Sequence, residues 1–128
     1  MTTIYYLKND EARRFDDEAW FETTFHPTAE NVNKLREANC YGEAGILSTF
    51  WTKFNLLMDD GDVVEALECI FGVMQNHEEN WTHGFPGSVA TMDWRSMSVG
   101  DLVQLDNQDV YVVAGCGFEK VNTNQEEV

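Results

Sequence analysis

MSVGDLVQLDNQDVYVVAGCGFEKV, residues Met97 to Val121, is the stretch whose reading decides the fold. Leu102, Val103 and Leu105 form an apolar run that stops at the polar turn Asp106-Asn107-Gln108-Asp109, and Val110 to Ala114 resumes as a second run. Two β-type runs around a polar turn predict a β-hairpin. Gly115 and Gly117 flank Cys116, which predicts a bulge or sharp bend before Phe118 to Val121 continues the sheet. Upstream, Ser98, Gly100 and Asp101 suit a turn that launches the first strand.

A helix to cover such a sheet is written in DDGDVVEALECIFGVMQN. Asp62 stands three residues before Glu65, an Asp variant of the capping box, and a helix is expected from Val63 to about Asn76. Glu65, Glu68, Gly72 and Gln75 make a narrow polar stripe, while Val64, Leu67, Ile70, Phe71 and Met74 cover the rest, so the helix should lie deeply against the sheet.

The N-terminal half is less regular. Ile4 to Leu7 predicts one edge strand, ended by the turn-prone pair Asn9-Asp10. In EARRFDDEAWFETTF, Ala12, Phe15, Ala19 and Trp20 fall on one stripe of an amphipathic helix. Ala29, Val32, Leu35 and Ala38 mark a short surface helix, with Pro27 and Thr28 suited to its first turn. Tyr41 to Gly45 reads as a glycine-bearing connector, and ILSTFWTKFNLLM, which alternates loosely, as a central strand. NHEENWTHGFPGS carries no periodic pattern and reads as a loop. The expected fold is a single α+β domain over residues 1–121, a small and mostly antiparallel sheet covered on one face by two or three helices, with 122–128 as a disordered tail.

Arg95-Ser96-Met97-Ser98-Val99-Gly100-Asp101, followed by two apolar strands around a polar turn and then Gly117-Phe118-Glu119, resembles small proteins carried by phages, plasmids and integrative elements, including the YodL-like domains. The resemblance rests on Arg95 to Val121. It implies a fold element and a mobile-element origin, and it implies no catalytic residue.

Composition narrows the function classes. The 128-residue chain is 43% hydrophobic, with eight Phe, four Trp and four Tyr, which is enough for a core. Against 23 Asp and Glu stand 8 Lys and Arg, a formal charge of −15. Nucleic acids and anionic lipids repel such a surface, so neither direct nucleic-acid binding nor membrane binding is expected. Without a long apolar run or a signal-peptide core, the expected compartment is the cytoplasm. Cys40, Cys69 and Cys116 lie far apart and read as free buried thiols.

No constellation declares a chemistry. His77, Glu78, Glu79 and His83 could serve a small metal-dependent hydrolase, but the histidine spacing does not place them on one helical face; the expectation is a solvated loop, no metal and no cofactor. Cys116 lacks a local base, GxSxG is absent, and there is no phosphate loop.

What stands out is clustered acid. Asp59, Asp60, Asp62, Glu65, Glu68, Glu78 and Glu79 occur without an intervening Lys or Arg, and Asp10, Glu11, Asp16, Asp17, Glu18 and Glu22 form a second group. These carboxylates, Asp16, Asp17 and Glu18 among them, are the candidate interaction surface. The leading expectation is a non-catalytic accessory protein that binds a basic or nucleic-acid-binding protein, in the extreme case by imitating DNA phosphates as an anti-restriction or anti-CRISPR inhibitor. The alternative is an assembly module that uses a sheet edge and the aromatics of NWTHGFPG, with the charge serving solubility.

Overall fold

The structure is a computed structural model and describes residues 2–47, 63–74, 89–90, 97–105 and 108–121. The chain runs β1 (Thr2–Leu7), α1 (Asn9–Phe15), α2 (Asp17–Phe25), α3 (Ala29–Glu37), β2 (Tyr41–Leu47), α4 (Val63–Val73), β3 (Val89–Ala90), β4 (Leu102–Gln104), β5 (Val110–Ala114) and β6 (Gly117–Lys120). The strands form one sheet in the order β3-β2-β1-β4-β5-β6, and every pair is antiparallel. This is an α+β architecture, as the sequence implied.

Its layering differs from the expectation. Ile4 and Tyr6 of β1, Val103 and Leu105 at β4 and Val113 of β5 pack with Ala66, Leu67 and Ile70 of α4 and with Met74 just after it. The alternate residues Leu7, Leu102, Val110 and Val112 pack with Ala12, Ala19, Val32 and Leu35 of α1 to α3. Successive strand residues point to opposite faces, so α4 covers one face and α1 to α3 cover the other. Burial on both faces explains why β1, β4 and β5 lack a clean apolar-polar alternation.

β1 is a central strand, not an edge: it pairs with β2 from Thr2↔Leu47 to Leu7↔Tyr41 and with β4 through Thr3↔Gln104 to Tyr5↔Leu102. The supposed connector Tyr41 to Gly45 is most of β2. Gly42 and Gly45 look like breakers in isolation, but β1 supplies a full ladder of partners, and the register slips between Ile4↔Gly45 and Tyr5↔Glu43 to leave Ala44 as a bulge residue in the core. Of the expected strand after Gly45, Ile46 and Leu47 belong to β2, and residues 48–58 lie outside the described residues.

The single helix expected over EARRFDDEAWFETTF is two. Asp16 adopts an extended backbone, φ −159°, its N–H closes α1 on the Ala12 carbonyl, and its carboxylate accepts from Ala19 N at 3.0 Å to start α2. That cap resets the helical phase, so Ala12 and Ala19 stay buried while Phe15 faces solvent. α3 starts with Thr28 as its cap, accepting from Asn31 N at 3.2 Å, and buries Val32 and Leu35. α4 ends at Val73, slightly earlier than expected, and Asp62 and Gln75 lie outside the described residues. Leu67, Ile70 and Met74 are fully buried, each stabilising the fold by about 1.5–3 kcal/mol, whereas Val64 is 59% exposed and does not join the core.

Candidate functional site

The turn before β4 is built around one buried carboxylate. Asp101 Oδ1 accepts from Leu7 N at 2.8 Å and Oδ2 from Ser98 N at 2.8 Å, while Asp101 N donates to Ser98 O at 3.0 Å. Gly100 takes φ +99°, and Val113 brackets the turn by donating to Asp101 O and accepting from Gly100 N. The Tyr41 hydroxyl donates to Gly100 O at 2.6 Å. Burial first, and the Asp101 carboxylate second, push the Tyr41 phenol far above its ordinary value, which keeps it a neutral donor. Each polar group in this node joins strands to one another, so Ser98, Gly100 and Asp101 of the C-terminal motif serve the backbone.

Gly115 and Cys116 are the tip of the β5–β6 hairpin, and Gly117 takes φ +97° where Ala114 pairs with it. A left-handed residue after a two-residue turn lets the strands close with their native twist. The demand at Gly117 is conformational, because its φ is one that side chains disfavour while a Cβ there would meet none of the described residues within 4 Å.

Two clefts lie on either side of this hairpin. Between α4, Val99 and the hairpin is a cleft of about 390 Å³ walled by Phe71, Val113 and Phe118, with Glu68 in its lining. Phe71 and Phe118 meet edge to face with ring centroids 6.3 Å apart. A second, of about 280 Å³, is lined by Phe25, His26 and Pro27 after α2 together with Gly115, Cys116 and Glu119.

Cys116 is exposed, contrary to the buried thiol expected, because the two glycines place it at the tip of a hairpin. The fold brings His26 and Glu119 to line the same cleft, an association that 92 residues of intervening chain hide from the sequence. Among the described residues no hydrogen bond joins the three, so the thiol is accessible without being set up as a nucleophile. Cys40 is buried and its thiol is pushed up by burial, which suits an inert packing role; the Cys69 side chain lies outside the described residues.

The acidic candidates divide between the two helical layers. Glu65 and Glu68 are exposed on α4, whereas Asp17 and Glu18 are exposed at the start of α2 on the opposite face of the sheet. Asp59, Asp60, Asp62, Glu78 and Glu79 lie outside the described residues, as do His77 and His83. Asp16 caps α2 and pairs with Lys34, whose ammonium holds the Asp16 carboxyl below its ordinary range, the Ala19 N–H adding to the effect. It is therefore a joint between α2 and α3.

Around it, α1 and α2 carry Asp10, Glu11, Asp17, Glu18 and Glu22, all exposed. The same helix exposes Phe21 and Phe25, 54% and 57% accessible, with ring centroids 4.7 Å apart. Sequence reading missed this aromatic pair; the i, i+4 spacing of Phe21 and Phe25, off the buried stripe of Ala19 and Thr23, was the available signal.

No known family, characterised protein or solved structure matches this chain. Among the described residues, no group of three His, Cys, Asp or Glu side chains could hold a metal ion, and no helix is long and apolar enough to cross a membrane.

Proposed function

We propose that the protein is a non-catalytic binding protein of a phage or other mobile element, which occupies a basic, nucleic-acid-binding protein of the host or the element through the carboxylates of α1 and α2. In its strongest form it is an anti-defence inhibitor whose carboxylates take the place of DNA phosphates. The observation that carries this reading is the surface of α1 and α2, which exposes Asp10, Glu11, Asp17, Glu18 and Glu22 in a chain of net charge −15.

Three of the nearby cations pair with acids, and Arg14 on α1 stands beside Asp10 and Asp17 with no ion pair among the described residues. Lys8 pairs with Glu11 at 3.1 Å, Lys34 with Asp16, and Arg13 with Asp17 at 3.7 Å while lying 4.7 Å over the Trp20 ring. Asp10, Glu18 and Glu22 still outnumber Arg14, so the field of this surface is negative and a cationic partner would be drawn to it from a distance.

Phe21 and Phe25 favour a second reading, an assembly module held by apolar contact, with the acids serving solubility. Ionic strength separates the two, since exposed charges are screened over about 8–10 Å at physiological salt and apolar contacts are not. The experiment is affinity capture on immobilised protein from a lysate of the cells in which it occurs, washed at low and high salt and with competing duplex DNA. Release of a nucleic-acid-binding protein by salt and by DNA supports the charge reading. Salt-resistant retention supports the apolar one.

A further inference from the structure

Among the described residues the far strand of the sheet has one open side, and β6 pairs only with β5. Val121 N donates to Val110 O, so Glu119 and Val121 turn their backbone groups towards β5, and by alternation Phe118 and Lys120 turn their N–H and C=O groups outwards. These groups offer an incoming strand a ladder, and the two clefts lie above and below it.

In the wall of the apolar cleft on the α4 side stands a glycine, Gly72. Gly72 sits within α4 at an ordinary helical φ, and a Cβ there would meet none of the described residues within 4 Å. Glycine weakens a helix relative to alanine, and among the described residues neither conformation nor packing calls for it. Its effect is to leave bare backbone in the wall beside Phe71 and Phe118.

Charge then selects the occupant. Glu68 lines one cleft and Glu119 the other, and Lys120, the cation of β6, is tied to Asp109 at 3.4 Å. A second copy of this chain would bring another −15 to the same edge and be repelled. We infer that β6 binds an extended basic segment of a partner protein by strand addition, its apolar side chains entering the Phe71–Phe118 cleft and its alternate Lys or Arg side chains meeting Glu119. This deepens the proposed binding of a basic protein and rests on that reading, but it places the anchor at the sheet edge instead of on α2.

The test is an NMR titration of the full ¹⁵N-labelled chain with the blocked heptapeptide Lys-Val-Lys-Phe-Lys-Val-Lys, and with the same peptide carrying Pro at its centre, which cannot complete the ladder. The expected result is saturable shifts at Phe71, Gly72 and Gly117 to Lys120, slowed amide exchange at Phe118 and Lys120, and at least tenfold weaker binding of the Pro peptide. Gly72→Leu, which fills open space, and Glu119→Lys, which reverses a surface charge, should each weaken binding tenfold or more.

Shifts confined to α1 and α2, equal affinity for the Pro peptide, indifference to both substitutions, or a dimer formed through β6 would overturn the inference. Capture from lysate by the Gly72→Leu protein separates the two proposals. Undiminished, salt-sensitive capture would overturn the edge as the anchor and leave the acidic surface standing, whereas a wild-type protein that captures no basic partner at low salt removes the wider reading.

Discussion

Asp101 is fully buried, and its two oxygens satisfy backbone N–H groups at the end of β1 and in the turn before β4. An amide in its place presents one acceptor oxygen and turns an NH₂ towards the other N–H. Asp101→Asn should therefore cost about 2–3 kcal/mol, the scale of hydrogen bonds to a charged group, measured by urea unfolding. Gly100→Ala should cost more than about 1 kcal/mol, because its φ of +99° disfavours any side chain and the added Cβ would lie 3.3 Å from Leu7 Cδ2. Thr23 points the other way: it is buried, and Oγ1 has no hydrogen-bond partner among the described residues. Thr23→Val keeps its shape and should be neutral or stabilising.

The Asp16–Lys34 pair gives stability a defined pH window. Hydrogen bonding to Lys34 lowers the Asp16 value, so its contribution is present above the ordinary carboxylate value of about 4 and is lost as pH falls through the lower folded-state value. Hydrogen bonding to Asp16 raises the Lys34 value, so that contribution is present below about 10 and is lost as pH rises through the raised value. Lys34→Met should destabilise the protein at neutral pH, with the difference from wild type shrinking below about pH 4. A constant difference down to pH 2 would contradict the pairing.

Among the elements, α4 makes the clearest energetic claim. Leu67→Ala or Ile70→Ala should cost about 2–5 kcal/mol, because both side chains are fully buried between helix and sheet, while Val64→Ser should stay within about 0.5 kcal/mol. Gly72→Ala should stabilise the protein by about 0.5–1 kcal/mol. This helix was legible because its spacing of apolar residues is a local signal, as is the β4–β5 hairpin across a short polar turn. β1 looked like an edge because its partners, Leu47 and Gln104, lie far along the chain, and pairing at that distance leaves no trace in a short run. β2 looked like a connector because glycine is judged by its own propensity until a neighbouring strand overrides it. The break at Asp16 was obscured by an apolar stripe that spans it, although an Asp followed by an acidic first turn was the local sign of a new helix. Both clefts combine residues from α2 or α4 with the β5–β6 hairpin, so they exist only once the sheet is assembled.

Over the whole molecule, carboxylates stand on both helical layers, with Glu65 and Glu68 on one side of the sheet and Asp10, Asp17, Glu18 and Glu22 on the other. Acid on both sides repels other anions whichever way the protein turns. What distinguishes the α1–α2 side among the described residues is the density of its exposed acid, Asp10, Glu11, Asp17, Glu18 and Glu22, which sets the field that draws a basic partner. The measurement that tests this most directly compares the basic partner retained from lysate by the wild-type protein and by the combined variant Asp10→Asn, Asp17→Asn, Glu18→Gln, Glu22→Gln across a salt series. The account predicts strong retention by the wild type at low salt, a steep fall as salt rises, and little retention by the variant at any salt. Equal retention by both proteins, flat across the series, would contradict it.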